Sequence, residues 1–191
     1  MARDLEAVIA AADQALRTWE PVWTPFLDGA LLEQAQEHLA GLAELELASR
    51  GGYPGAERQR LLLQRYDAAI DADEVAAGLM GLELGGNFLF DPAERQDFRS
   101  GLLALGAAEG ELGDLWLRGD RGAQAILTTA QAAALDGRTA VVRTVEVALE
   151  ARPLHELQLP APRLPRRFQT VEASLRLDAV ASAGFGLSRN R

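Results

Sequence analysis

The sequence predicts an α+β protein, and three patterns lead to that prediction. Residues 2–19 carry apolar side chains at the three- and four-residue spacing of an amphipathic helix. Two segments, 44–64 and 113–128, each place two apolar-containing arms around a glycine-rich centre, which is typical of a β-hairpin. From residue 75 to residue 150, strand-like and helix-like segments follow one another.

The N-terminal region, residues 1–70, is predicted to hold two helices and one hairpin. Proline residues end the first helix, and the second is expected to start near Asp28 and end near Gly41. The hairpin arms are Glu44–Ser49 and Arg58–Gln64, on either side of "GGYPG". Intrinsic propensity favours a competing helix over residues 56–66.

An acidic connector at residues 67–74 predicts a domain boundary, and residues 75–150 then predict six elements. A strand ends at Gly85–Gly86, and a helix capped by Asp91 runs to Gly106. A hairpin follows, then a short helix capped by Thr129, then one β-branched strand over "TAVVRTVEVAL". This order, βαββαβ, is that of a ferredoxin-like domain.

Residues 151–170 are predicted to be an extended linker, because "EARPLHELQLPAPRLPRRFQT" holds four of the eight prolines. In residues 171–191 an apolar helical face is followed by Gly184, Gly186 and Ser188, which predicts a short helix, a turn and the start of a second helix. Arginines near both helix starts can contact phosphate, and a frayed terminus is the alternative; we expect residues 184–191 to be mobile.

Composition excludes several classes of function. The 191 residues include no cysteine, so disulfides and thiolate chemistry are excluded, and two distant histidines do not make a metal site. No apolar run is long enough to cross a bilayer, and acids interrupt the N-terminal segment as a signal peptide, which predicts a cytosolic or stromal protein. No catalytic set converges in sequence, so neither an enzyme, a cofactor nor a small-molecule substrate is expected.

The net charge of −9 is unevenly distributed. From Glu150 onward seven arginines face four acids, a balance of +3, so residues 1–149 carry −12. The acidic body repels nucleic acid, whereas the basic C-terminal segment can attract phosphate.

The C-terminal segment "RLDAVASAGFGLSRNR" resembles the first third of the RNA-binding domain named after ribosomal protein S-four. The family's Arg-Leu-Asp start matches Arg176-Leu177-Asp178, and its Ser-Arg start of the second helix matches Ser188-Arg189. The remaining two thirds of that module is missing, so the domain at residues 171–191 is expected to be truncated. The resemblance implies RNA contacts by these residues and by Arg191.

The resemblance extends over nearly the whole chain. The stretches "WEPVWTPFLD", "GGYPGAERQR", "GNFLFDPAERQDF" and "GDLWLRGDRGAQAIL" are similar to the YlmH family, whose cyanobacterial and plastid members are called photosystem II S-four domain proteins. This implies a central RNA-binding domain and a non-catalytic, ribosome-associated accessory factor. Its partners would be ribosomal or transfer RNA and the large ribosomal subunit, in a role such as stalled-ribosome quality control.

A second candidate RNA-binding surface is the loop "SRGGYPGAERQR", which carries Arg50, Tyr53, Arg58 and Arg60. A flexible loop of this kind places a ring and guanidinium groups on exposed bases, and the alternative is a tight hairpin with exposed charges. Trp116 is the one aromatic in the candidate strands of the central domain, and we expect it to pack in the core. The competing function is a protein–protein adaptor that docks a partner on the acidic body.

Overall fold

The structure is a computed structural model that describes residues 2–67, 78–161 and 176–185, with side chains from residue 4 onward. The chain divides into two compact units, Met1–Pro160 and Ala161–Arg191. The elements of the first unit are, in chain order, α1 Ala2–Thr18, β1 Val22–Trp23, α2 Gly29–Leu39, β2 Leu45–Arg50, β3 Arg60–Arg65, β4 Leu79–Gly85, α3 Arg95–Ala104, β5 Leu112–Leu117, β6 Gly122–Thr128, α4 Thr129–Leu135, β7 Thr139–Val142 and β8 Val145–Arg152. The second unit holds α5, Leu177–Phe185.

The N-terminal elements form a three-stranded antiparallel sheet, in the order β1-β3-β2, with α1 and α2 packed on it. Helix α2 begins next to Asp28, as the sequence predicts, and Asp28 caps it by accepting a hydrogen bond of 2.9 Å from the Leu31 amide. The predicted hairpin is confirmed, and the competing helix over residues 56–66 is wrong. Burial explains this outcome: Leu61 and Leu63 are fully buried in the cluster that α1 and α2 close, and that packing outweighs helix propensity.

The second sheet is antiparallel with the order β5-β6-β4-β8-β7. Its first four strands have the ferredoxin-like arrangement, and β7 adds a strand at the edge. Helices α3 and α4 cover one face, where Phe98 and Leu135 are buried among the strand side chains. The α+β prediction is therefore confirmed, together with the hairpin of β5 and β6.

Three details of the predicted central domain are wrong. The stretch "TAVVRTVEVAL" forms two strands, β7 and β8, joined by a turn at Arg143 and Thr144, where Arg143 has a φ of 56°. Arg-Thr is not a turn signal, which is why the sequence hides this hairpin. Asp91 does not cap α3, because the helix begins later: its cap position is Glu94, whose amide donates to Asp97 Oδ2 at 2.8 Å. The short helix α4 is capped by Thr128, one residue before the predicted cap.

The face of the second sheet opposite its helices is also covered. Phe26 and Tyr53 from the N-terminal region, with Leu157 from the segment after β8, pack against Trp116 and Ile126. Trp116 is buried and donates its indole N–H to the Gln158 carbonyl at 3.0 Å, so the prediction that it lies in the core is confirmed. Base-stacking sheets of this topology expose aromatics on this face, and here it is closed.

Residues 151–160, which the sequence assigns to the linker, are packed within the first unit. Arg152 ends β8 and pairs with Gly81, and the Gln158 amide donates to Gln124 Oε1 at 3.0 Å. Residues 162–170 lie outside the described residues. So does most of the predicted boundary at 67–74, which stays a prediction.

Candidate nucleic-acid interface

The loop between β2 and β3 is fixed by one carboxylate. Asp114 is 8% exposed and accepts three hydrogen bonds: from Tyr53 Oη at 2.7 Å, from the Glu57 amide at 2.7 Å and from the Arg58 amide at 2.9 Å. The Tyr53 ring also meets the Trp116 ring edge-on, with 5.8 Å between the centroids. The loop is therefore a tight, anchored structure, and its tyrosine is held inward.

A bulge in β5 positions Asp114. The pairing of β5 with β6 shifts by one residue between Leu112 and Leu115, which turns the carboxylate of Asp114 toward the loop. Gly113 is required beside it, because a Cβ there would lie 2.7 Å from the Phe26 ring. Sequence reasoning missed Asp114; the available signal is an acid inside the apolar run "LGDLWL".

Arg58 joins the two sheets rather than facing solvent. Its Nε donates to the Leu112 carbonyl at 3.0 Å, and one Nη donates to the Phe26 carbonyl at 3.2 Å and to the Glu109 carbonyl at 3.3 Å. Burial lowers the pKa of Arg58 below its usual range, with a contribution from Arg99 nearby, while Glu109 opposes the shift. The guanidinium stays charged, and its donors are used inside the fold.

Arg60 is also engaged within the N-terminal sheet. Its Nε donates to the Thr24 carbonyl at 2.7 Å, and its guanidinium lies over the Trp23 ring at 5.4 Å from the centroid. Burial lowers the pKa of Arg60, and Glu111 acts in the opposite direction. Of the four predicted residues of this loop, Arg58, Arg60 and Tyr53 thus have structural contacts.

Arg50 is the exposed member of the predicted set. One Nη donates to the Ser49 carbonyl at 2.8 Å, and the rest of the guanidinium faces solvent. It forms part of the wall of a cleft of about 440 Å³, which lies within the usual size range of ligand pockets. The cleft is lined by Ser49, Arg50, Gly51, Gly52, Tyr53, Pro54, Gly55, Gln59, Leu79 and Leu154.

Two glycines shape this cleft. Gly52 has a φ of +90°, and a Cβ there would lie 2.7 Å from Ile126 Cδ1. At Gly51 a Cβ would lie 2.4 Å from the Ala56 Cβ and 2.7 Å from the Arg58 carbonyl oxygen. The close approach of the loop backbone to Ile126 of the second sheet therefore requires glycine at position 52, and the close approach of the loop to its own residues Ala56 and Arg58 requires it at position 51.

The C-terminal candidates lie at the start of α5. Arg176 binds Asp178 through two hydrogen bonds, Nε to Oδ1 at 3.1 Å and Nη to Oδ2 at 3.3 Å. Leu177 is the first residue of the helix, and the Val180 amide donates to the Arg176 carbonyl at 3.1 Å. The other predicted residues of this segment, Ser188, Arg189 and Arg191, lie outside the described residues.

Neither a metal site nor a membrane span is found in the described parts of the chain. Within residues 2–67, 78–161 and 176–185, no three His, Asp or Glu side chains are grouped to hold a metal ion. The helices in these ranges are all too short or too polar to cross a bilayer.

The fold and the loop contacts define a class: an α+β protein in which a hairpin-bearing N-terminal region is joined to a ferredoxin-like sheet with one added strand. Residues 2–68 match the family model described as "YlmH, N-terminal". Among solved structures, the chain is similar to the "Cell division protein ylmH from Streptococcus pneumoniae", with a TM-score of 0.67 and 18% identity over 81% of this chain and 92% of that one. A search of curated proteins finds no match. Residues 2–68 are thus similar to the N-terminal part of the YlmH family, and the chain shares its fold with the solved structure.

Proposed function

We propose that this chain is a non-catalytic RNA-binding protein that acts as an accessory factor of the ribosome. The observation that carries the proposal is the exposed guanidinium of Arg50 on the wall of a cleft large enough for a nucleotide. The resemblance of Arg176-Leu177-Asp178 to the start of an S-four module supports it. We propose ribosomal or transfer RNA as ligand, a role such as stalled-ribosome quality control, and the cytoplasm or a plastid stroma as compartment.

The interaction would combine a phosphate contact with partial burial of a base. Arg50 supplies a planar fork for phosphate oxygens, and the glycine backbone leaves space beside it for a flat ring. The balance of +3 from Glu150 onward supplies attraction on a body that otherwise carries −12. Each phosphate contact releases counterions from the RNA, so affinity is expected to fall as salt rises, while screening of the repulsion from the acidic body moderates the slope.

The test is the binding of the chain to large ribosomal subunits and to a structured ribosomal RNA fragment across a salt series. Arg50→Gln is expected to weaken RNA binding about fivefold and to lower the salt slope by about 0.7. Arg17→Gln is the matched control, because Arg17 is equally exposed and also donates to one backbone carbonyl, that of Asp13. If Arg50→Gln binds RNA as tightly as the parent chain does, Arg50 is not part of the interface.

The acidic body favours a second candidate, a protein–protein adaptor. An adaptor that docks its partner through an apolar surface would bind subunits with little salt dependence, and it would not bind the RNA fragment alone. That combination of results would replace the RNA-binding proposal.

A further inference from the structure

A second loop presents an aromatic side chain to solvent. The Phe90 loop, residues 87–91, follows β4, and Phe90 is 91% exposed while its neighbour Leu89 is 58% exposed. Two adjacent large apolar side chains at this exposure are unusual on a protein surface, where scattered single residues are the norm.

The Phe90 loop is fixed on both sides of its exposed tip. After the tip, Asp91 accepts hydrogen bonds from Arg143 Nε at 2.7 Å, from the Thr144 amide at 3.2 Å and from Thr144 Oγ1 at 2.5 Å. Before it, the Phe88 ring packs on Phe98 at 4.9 Å between centroids. The tip is therefore pre-organised, and binding there costs less ordering entropy than binding to a flexible loop.

The same end of the sheet carries the free guanidinium groups. Among the arginines whose side chains the structure describes, Arg95 and Arg121 are the two whose guanidinium groups make neither a hydrogen bond nor an ion pair. The Arg121 carbonyl accepts from the Gly86 amide at 3.2 Å, directly before the loop. Arg95 is the first residue of α3, four residues after Asp91. Both side chains are exposed.

Acids balance these charges locally. Asp91, Glu94, Asp97 and Asp120 lie among the same turns, and Arg143 is paired with Asp91 and Asp97. This end of the sheet therefore has no strong positive field, and its binding energy has to come from the aromatic ring and from individual guanidinium contacts.

We propose that Phe90 stacks on an unpaired base of the bound RNA, with Arg95 and Arg121 contacting the phosphates beside it. This inference rests on the RNA-binding function proposed above. A rigid exposed ring flanked by unengaged guanidinium groups is the combination that recognises splayed-out bases in single-stranded segments. The Leu89 side chain extends the apolar platform on which the base lies.

The Phe90 loop and the Arg50 cleft lie at opposite ends of one strand. Leu79 lines the cleft and begins β4, and Gly85 ends β4 just before the Phe90 loop. The seven residues of β4 span about 20 Å, so a single-stranded RNA segment of several nucleotides would be needed to reach both.

The experiment compares the binding of variants of the whole chain to two labelled RNAs. One is a hairpin with an eight-nucleotide unpaired loop, and the other is a fully paired duplex with the same number of nucleotides. Phe90→Leu is expected to weaken binding to the open loop about tenfold, with an unchanged salt slope. Phe90→Trp should retain binding, and its fluorescence should be quenched on stacking. Arg121→Gln should lower the salt slope by about 0.7. Tyr66→Ala, which removes another exposed aromatic, is the control and should bind as the parent does.

Loss of binding in Phe90→Leu with retention in Phe90→Trp supports base stacking. Retained RNA binding in Phe90→Leu with loss in a further variant, Phe90→Ser, would show that an apolar side chain without an aromatic ring is sufficient, and it overturns base stacking. Equal losses in Phe90→Leu and Tyr66→Ala overturn the assignment to this loop. If the parent chain and the Phe90 variants bind RNA equally well, only this inference is overturned. If the parent chain binds neither RNA nor ribosomal subunits, the proposed function is overturned as well.

Discussion

The β2–β3 loop and the Phe90 loop are built on the same plan with opposite results. Each contains an aromatic residue, and each is fixed by one aspartate that accepts three hydrogen bonds. In the first loop the bonds to Asp114 draw Tyr53 inward onto Trp116. In the second the bonds to Asp91 leave Phe90 in solvent. Similar anchoring hydrogen bonds therefore bury one ring and leave the other exposed, depending on where the ring lies relative to the aspartate.

Removal of the buried anchor, Asp114, is expected to lower the stability of the fold most. Asp114→Ala leaves the Tyr53 hydroxyl and two amides without an acceptor in a buried position, and we expect a loss of about 3 kcal/mol in the free energy of unfolding. Urea unfolding followed by tryptophan fluorescence measures it, since Trp116 touches Tyr53. Asp120→Ala, an exposed aspartate with no side-chain partner, is the control and should stay within about 0.5 kcal/mol of the parent. A loss of similar size in both variants would contradict the role of Asp114.

An intermediate effect separates two glycines of the first loop. Gly52→Ala combines a positive φ with a Cβ contact of 2.7 Å to Ile126, whereas Gly55→Ala has a similar φ, +85°, and open space around the Cβ. We expect Gly55→Ala to cost about 1 kcal/mol, from the backbone alone, and Gly52→Ala about 2 kcal/mol more. Thermal unfolding of both variants gives the difference. Equal costs would show that the loop backbone is free to move away from the second sheet.

Removal of the charge of the exposed anchor, Asp91, is expected to lower the stability of the fold least, by an amount that depends on pH. Hydrogen bonds from Thr144 and Arg143 hold the pKa of Asp91 below its ordinary value. A carboxyl with a depressed folded-state pKa contributes stability above its unfolded pKa, and this contribution is lost as pH falls through the folded pKa. Asp91→Asn should therefore reduce stability at pH 7 and leave it nearly unchanged at pH 2, measured by urea midpoints at both values. An identical difference between variant and parent at the two pH values would show that the charge of Asp91 has no part in holding the Phe90 loop.

Local patterns were sufficient to predict most elements of the fold. The structure contains the elements that are predicted by the periodicity of α1, by the helix start near Asp28 and by both glycine-centred hairpins. The hairpin of β7 and β8 was missed because its turn at Arg143 is stabilised by Asp91, more than 50 residues away, rather than by its own sequence. Long-range hydrogen bonds leave no periodic signal in the chain.

The candidate site was predicted less well, for the same reason. Arginine and tyrosine in a glycine-rich segment are typical of a nucleic-acid loop, but Arg58 and Tyr53 find partners in β5 that only the folded chain provides. Arg50 donates to the carbonyl of its neighbour Ser49 and remains exposed. No sequence pattern marks Phe90 as exposed, since the exposure of an aromatic cannot be inferred from its neighbours in sequence.

The anchor at Asp114 also imposes an order in time on synthesis of the chain. Residues 51–58 emerge from the ribosome well before their acceptor, which lies 56 residues beyond Arg58. At translation rates of roughly 5–20 residues per second, that separation corresponds to a wait of roughly 3–11 s. During this interval Tyr53 and the guanidinium of Arg58 have no partner from β5. The first hairpin to be synthesised is thus completed only when a strand from the second sheet arrives.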